Sequence, residues 1–188
     1  MDTAQSLRRT NIAEYILYLW QLEDMFRALQ FSPEAIYSQF VAPRTSSLDQ
    51  ESCSMLLTWY MELVQLLQKE GKEEKGHIEH SLHLIADLHN LHLQLLELPI
   101  GARYRTLVAR LAEVMPDLRA LFGSDVSDTE LAFRALYAAM LYRIKGDGGK
   151  GAVVDTIEYI SPVIAELSSI YGKVERGEVD LFKNSDAE

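Results

Sequence analysis

The chain has 188 residues, a length that suits one domain able to bury a core without disulfide or metal staples. Charged residues make up 24% and the hydrophobic set 48%, the balance of a soluble globular protein. The formal net charge is −10 with no lysine or arginine cluster to offset it, which disfavours nucleic acid and anionic membrane as partners, since both demand a basic face, and neither is expected.

The opening MDTAQSLRRT is polar and lacks the apolar core of a leader peptide. Asn11 and Glu14 form a capping box ahead of a run to Leu29 that is apolar on nearly every side. Such a helix is expected at the centre of a bundle, surrounded by others. Ser32-Pro33 supplies an N-cap and a first-turn proline for a short helix to about Phe40. Arg44 to Ser46 reads as a loop, and Ser47 with Gln50 reads as a second capping box opening a long helix to about Glu70.

In that third helix Cys53 shares a side with Tyr60 and Val64, the setting of a buried, inert thiol. As the only cysteine, Cys53 can form no intrachain disulfide, which suits a reducing, cytoplasmic location. GKEEKG, Gly71 to Gly76, is a charged turn leading to a leucine-rich fourth helix from His77 to about Leu98. A fifth helix runs from about Ala102 to Phe122, with Pro116 predicting a kink or break. Ser127 and Glu130 cap a sixth helix to about Lys145, one face of which carries Ala132, Ala135, Ala138 and Ala139. Gly146 to Gly151 reads as a connection, because Gly151 stands where a phosphate-binding loop needs Ser or Thr. A seventh helix follows, with Ile160, Ile164 and Leu167 on its stripe and Pro162 on its outer side.

These elements predict an all-α, single-domain bundle of about seven helices around a buried N-terminal helix, spanning 1–177 with a frayed tail at 178–188. No stretch reaches the roughly 18 apolar residues that a membrane span requires.

The run Ala13-Glu14-Tyr15-Ile16-Leu17-Tyr18-Leu19-Trp20-Gln21-Leu22-Glu23-Asp24, with Arg27 and Ala28 after it, resembles the N-terminal signature of an all-helical bacterial family classed as domain of unknown function 4924. The resemblance implies a helical, cytoplasmic bacterial protein. It brings no activity, cofactor or catalytic residue with it.

Chemistry-bearing residues are few. All five histidines, His77, His80, His83, His89 and His92, fall in the fourth helix. His80, His83 and Asp87 share its polar side at spacings that can ligate a divalent metal, against the plainer reading of a solvated face. His89 and His92 point to the opposite, apolar side, where a buried imidazole needs a hydrogen-bond partner or serves a ligand. Glu23 and Arg27, four apart beside Trp20, form either a shielded structural ion pair or the polar lining of a ligand site. No cofactor motif is present, so no cofactor and no catalytic residue is expected.

Two functional readings follow. The first is a non-enzymatic protein acting by association with itself or a protein partner, motivated by broad apolar arcs and by Tyr18, Trp59, Tyr60, Tyr137 and Tyr142. The alternative is a small-molecule-binding bundle, conceivably an enzyme, with a pocket lined by Trp20, Glu23, Arg27, His89 and His92.

Overall fold

Where several helices begin is decided by side chains that satisfy their first free amides. A computed structural model describes residues 2–144 and 152–181. The connection Gly146–Gly151 and tail residues 182–188 therefore lie outside the described residues. The fold is all-α. Among the described residues there are nine α-helices and no strand: α1 (Asp2–Thr10), α2 (Ile12–Ala28), α3 (Pro33–Ile36), α4 (Gln50–Lys69), α5 (Glu79–Glu97), α6 (Ala102–Leu111), α7 (Met115–Phe122), α8 (Asp128–Ile144) and α9 (Ala152–Glu175). None of them is long and apolar enough to cross a membrane.

Two differences raise the count above seven, and a third reshapes the segment after the short helix. The polar opening is itself helical, so the apolar helix is second in the chain. The expected fifth helix breaks into α6 and α7, with Pro116 in the first turn of α7 where its missing N–H costs nothing. After Ser32, whose hydroxyl accepts from Ala35 N at 3.2 Å, α3 gives way to a π turn (Tyr37–Val41) and a 3-10 turn (Ala42–Arg44). Two other boundaries also move. The cap of α4 is Asp49, accepting from Ser52 N at 2.7 Å, while Ser47 instead donates to Arg44 O at 3.0 Å. His77 precedes α5, which starts at Glu79.

The chain divides into two compact units: unit 1 is Met1–Arg8 with Glu14–His83, and unit 2 is Arg9–Ala13 with Leu84–Glu188. The core of unit 1 joins Leu19, Leu22 and Phe26 of α2 to Ile36, Val41, Leu56, Tyr60, Val64, Leu67 and Ile78. Phe26 meets Phe40 and Tyr60 edge-on, with ring centroids 5.8 and 5.7 Å away. Edge-to-face pairs of this kind add to what burial alone contributes. Cys53 is buried on the same side of α4 as Tyr60 and Val64.

In unit 2, α9 packs against α6 and α8, and α7 against α8. Small residues Ala132, Ala135 and Ala139 are buried on α8; Ile160, Ile164 and Leu167 are buried on α9. Asn11 accepts from Ala13 N at 3.1 Å and from Ser168 Oγ at 2.9 Å, tying this short segment to α9. At the end of α5 the backbone closes on itself. A Cβ on Gly101 would lie 1.8 Å from Leu95 O, so only glycine fits. Arg105 Nη1 donates to Leu95 O at 3.2 Å and to Leu98 O at 2.7 Å, satisfying carbonyls that the helix end leaves open.

Candidate functional site

The polar groups of α2 cluster around Glu23. Trp20 and Glu23 are buried in unit 1, and Arg27 lies beside them. Glu23 Oε2 accepts from His77 Nδ1 at 2.7 Å, and Oε1 accepts from Ile78 N at 3.3 Å. A carboxylate only accepts, so the His77 proton sits on Nδ1. The His77 ring stacks on Trp20 with centroids 3.8 Å apart and planes 8° off parallel. Trp20 Nε1 donates to Ser81 Oγ at 3.0 Å, and Ser81 donates in turn to Ile78 O at 2.9 Å.

Arg27 approaches Glu23 only to 3.8 Å, and its closer ion pair is Asp24 at 2.7 Å. Its remaining donors reach Lys72 O, from Nε at 3.1 Å and Nη2 at 3.0 Å, and Gly76 O. Glu70 Oε2 accepts from Glu79 N at 2.7 Å. Together these bonds strap the charged 71–77 turn between α4 and α5 onto α2. Every polar atom described for Trp20, Glu23 and Arg27 goes to a neighbour in the protein, the pattern of a fold-defining network.

An open space lies elsewhere in unit 1. A partly open cleft of about 490 Å³ is lined by Thr3, Gln5, Arg44, Ser47, Leu48, Ser52, Met55 and Leu56. Volumes of roughly 300–1,000 Å³ with mixed lining are typical of small-molecule sites. The π turn and the 3-10 turn deliver Arg44 to this wall, and π turns recur at functional positions. Arg44 Nη1 donates to Tyr60 Oη at 3.2 Å. Tyr18 belongs to the same cluster. Burial pushes its phenol well above the usual range, the Tyr60 phenol pushes the same way, and Arg44 pulls back.

The two later histidines belong to unit 2. His89 Nδ1 meets Thr129 Oγ1 at 3.1 Å, and His92 Nδ1 meets Tyr104 Oη at 2.8 Å. The two rings stack with centroids 5.5 Å apart. Burial first, and then the charge of His89, hold His92 below the ordinary histidine range, with Asp128 opposing. Burial also raises the Tyr104 phenol. His92 at neutral pH is therefore an uncharged ring bonded to an uncharged phenol.

Of the metal candidates, His80 and His83 lie in unit 1 and Asp87 in unit 2, all three exposed. His80 Nε2 is 3.3 Å from Tyr15 Oη, and burial, Arg8 and His83 lower its pKa against the pull of Glu70. Among the described residues no group of three His, Cys, Asp or Glu side chains is gathered as a metal site.

Sequence reasoning missed two residues. His77 stands three positions before the His80 and His83 pair and carries no local signal toward Glu23, 54 positions away. Arg44 reads from the sequence as part of a loop, and nothing within one turn of it signals the cleft that it lines.

Comparison with known proteins places the chain in a family. The model of the family described as domain of unknown function DUF4924 matches residues 1–178, nearly end to end, and the chain belongs to that family. No curated protein and no solved structure matches it.

Proposed function

We propose that this DUF4924 member is a cytoplasmic small-molecule-binding protein whose ligand occupies the cleft between the first residues of unit 1, the Arg44–Leu48 segment and the start of α4. The observation that carries the reading is the cleft itself, about 490 Å³ with an arginine, three hydroxyls and an apolar wall. Such spaces combine apolar surface for affinity with a few polar groups for orientation. The reading moves the ligand away from Trp20, Glu23 and Arg27, because those side chains are engaged in strapping the 71–77 turn.

Association, the other reading of the sequence, calls for a contiguous apolar face. Among the described residues the large exposed apolar side chains are Tyr37, Met55, Leu93, Ile100, Leu121, Tyr142 and Ile144, spread over six elements. Two of the aromatics expected at an interface, Tyr60 and Tyr137, are buried instead. Scattered single side chains are normal for any soluble surface.

A melting-temperature screen against small organic acids, amines and neutral compounds tests the proposal, alongside Ser52→Trp to fill the cleft. At least one chemical class is expected to stabilise the wild-type protein and not the filled variant. Silence from every class, or stabilisation that Ser52→Trp leaves intact, refutes it.

A further inference from the structure

We propose that the ligand of the unit 1 cleft is a small organic monocarboxylate and that Arg44 receives its carboxylate; this rests on the binding function set out above. Arg44 is half-buried at the cleft wall in a chain of formal net charge −10. Acidic partners are abundant in such a protein, and other arginines find them: Arg27 pairs with Asp24, Arg119 with Asp128 and Arg134 with Glu130. Arg44 is different. Among the described residues its hydrogen-bonding partners are the Tyr60 and Tyr18 hydroxyls, and no Asp or Glu forms an ion pair with it. A partly desolvated guanidinium with no counter-charge is an unmet electrostatic demand, which a bound anion satisfies.

The arginine is also held in place. Tyr60 is wholly buried, its ring packed against Phe26 at 5.7 Å and Phe40 at 5.4 Å. Its hydroxyl therefore fixes Nη1 and acts as a positioning group. The fork that remains can meet a carboxylate through two parallel bonds. Because the guanidinium is ordered before binding, little side-chain entropy is lost when the ligand arrives.

Charge and lining narrow the class. Asp49 caps α4 through Ser52 N, and that backbone bond holds its carboxyl below the usual range, so it is ionised. A negative charge thus stands beside the lining residues Leu48 and Ser52. With that charge nearby a phosphate dianion meets more repulsion than a monoanion does, and the lining offers one arginine against it. Leu48, Met55 and Leu56 supply an apolar wall for the hydrocarbon part of the ligand.

Titration calorimetry of the full chain with hexanoate, hexan-1-ol and inorganic phosphate tests this, on the wild-type protein, Arg44→Met and Ser52→Trp. Hexanoate is expected to bind roughly ten- to a hundredfold more tightly than the alcohol, the worth of a charged hydrogen-bonded pair. Arg44→Met should erase that preference by weakening hexanoate far more than the alcohol. Equal binding of acid and alcohol by the wild-type protein overturns the carboxylate assignment but leaves the cleft as a binding site. Phosphate binding as tightly as hexanoate also overturns the assignment, as does a preference that survives Arg44→Met. If neither hexanoate nor hexan-1-ol gives heat that Ser52→Trp abolishes, the binding function itself falls. Should Arg44→Met not fold, the acid-to-alcohol ratio in the wild-type protein decides alone.

Discussion

Replacing Glu23 by alanine should uncouple the 71–77 turn from α2, and the size of the effect can be worked out bond by bond. The carboxylate is 3% exposed and accepts two hydrogen bonds, one from His77 and one from the backbone of Ile78. Losing a charge-assisted bond costs about 1.5–3 kcal/mol, and leaving the buried Ile78 amide without a partner adds about 1–3 kcal/mol. Arg27 limits the total, because Asp24 and the Lys72 and Gly76 carbonyls still satisfy it. The expected loss is therefore about 3–5 kcal/mol, the range seen when one partner of a buried pair is removed. Glu23→Gln keeps an acceptor for Ile78 and loses only the charge, so it should cost about 1–2 kcal/mol.

Amide exchange at Ile78 is the sharpest assay, since it reports on the turn rather than on the whole chain. Exchange there should quicken roughly a hundredfold or more in Glu23→Ala and far less in Glu23→Gln. Urea unfolding followed by tryptophan emission supplies the free energy, with Trp20 stacked directly on His77. A cost below about 1 kcal/mol for alanine, or equal costs for alanine and glutamine, would refute the hydrogen-bond reasoning.

Three further outcomes are expected. Gly101→Ala places a methyl group 1.8 Å from Leu95 O, a backbone atom that cannot step aside, and should lower stability by about 3 kcal/mol or more in thermal unfolding. Ser127→Ala removes the hydroxyl that accepts from Glu130 N at 3.2 Å at the start of α8, and should cost about 1 kcal/mol by urea titration. His92 gives an acid limb. Its folded pKa lies below the unfolded value, so the unfolded chain binds the proton first. Its stabilising contribution is complete above about pH 6.5 and is lost as pH falls through that value toward the folded one. Urea midpoints between pH 8 and pH 5 (roughly the histidine window) should therefore fall more steeply for the wild-type protein than for His92→Gln. The residual slope in the variant is assigned to His80, which is shifted in the same direction.

What could be read from the sequence was what the chain settles over three or four residues. Ser32 with Pro33, and Ser127 ahead of Glu130, act within one turn, and both caps are found where their spacing put them. The break at Pro116 follows from the missing amide of one residue. Between Ser47 and Gln50 the local rule was ambiguous. Two capping residues compete there, and Asp49 wins because an ionised carboxylate is the stronger acceptor at the positive end of a helix. The π turn at 37–41 carries no side-chain signature of its own.

The candidate site was hidden for a different reason. A helical spacing can reveal that Glu23 and Arg27 are neighbours, because four residues make about one turn. It cannot reveal that His77 completes the Glu23 carboxylate, or that Arg44 lacks an acid, because both facts depend on what distant segments bring alongside. Sequence reading therefore favours groups that are close in the chain, and those tend to satisfy one another locally. Arg27 illustrates the bias: the arginine that looked functional had Asp24 three residues away. Arg44, flanked by Thr45, Ser46 and Ser47 with no acid until Asp49, had its apparent dullness from the same cause that leaves its charge unmatched. Where an acidic chain gives a half-buried arginine at a cleft wall neither a carboxylate nor the backbone carbonyls that Arg105 finds, the missing partner is best sought among molecules that are not the chain itself.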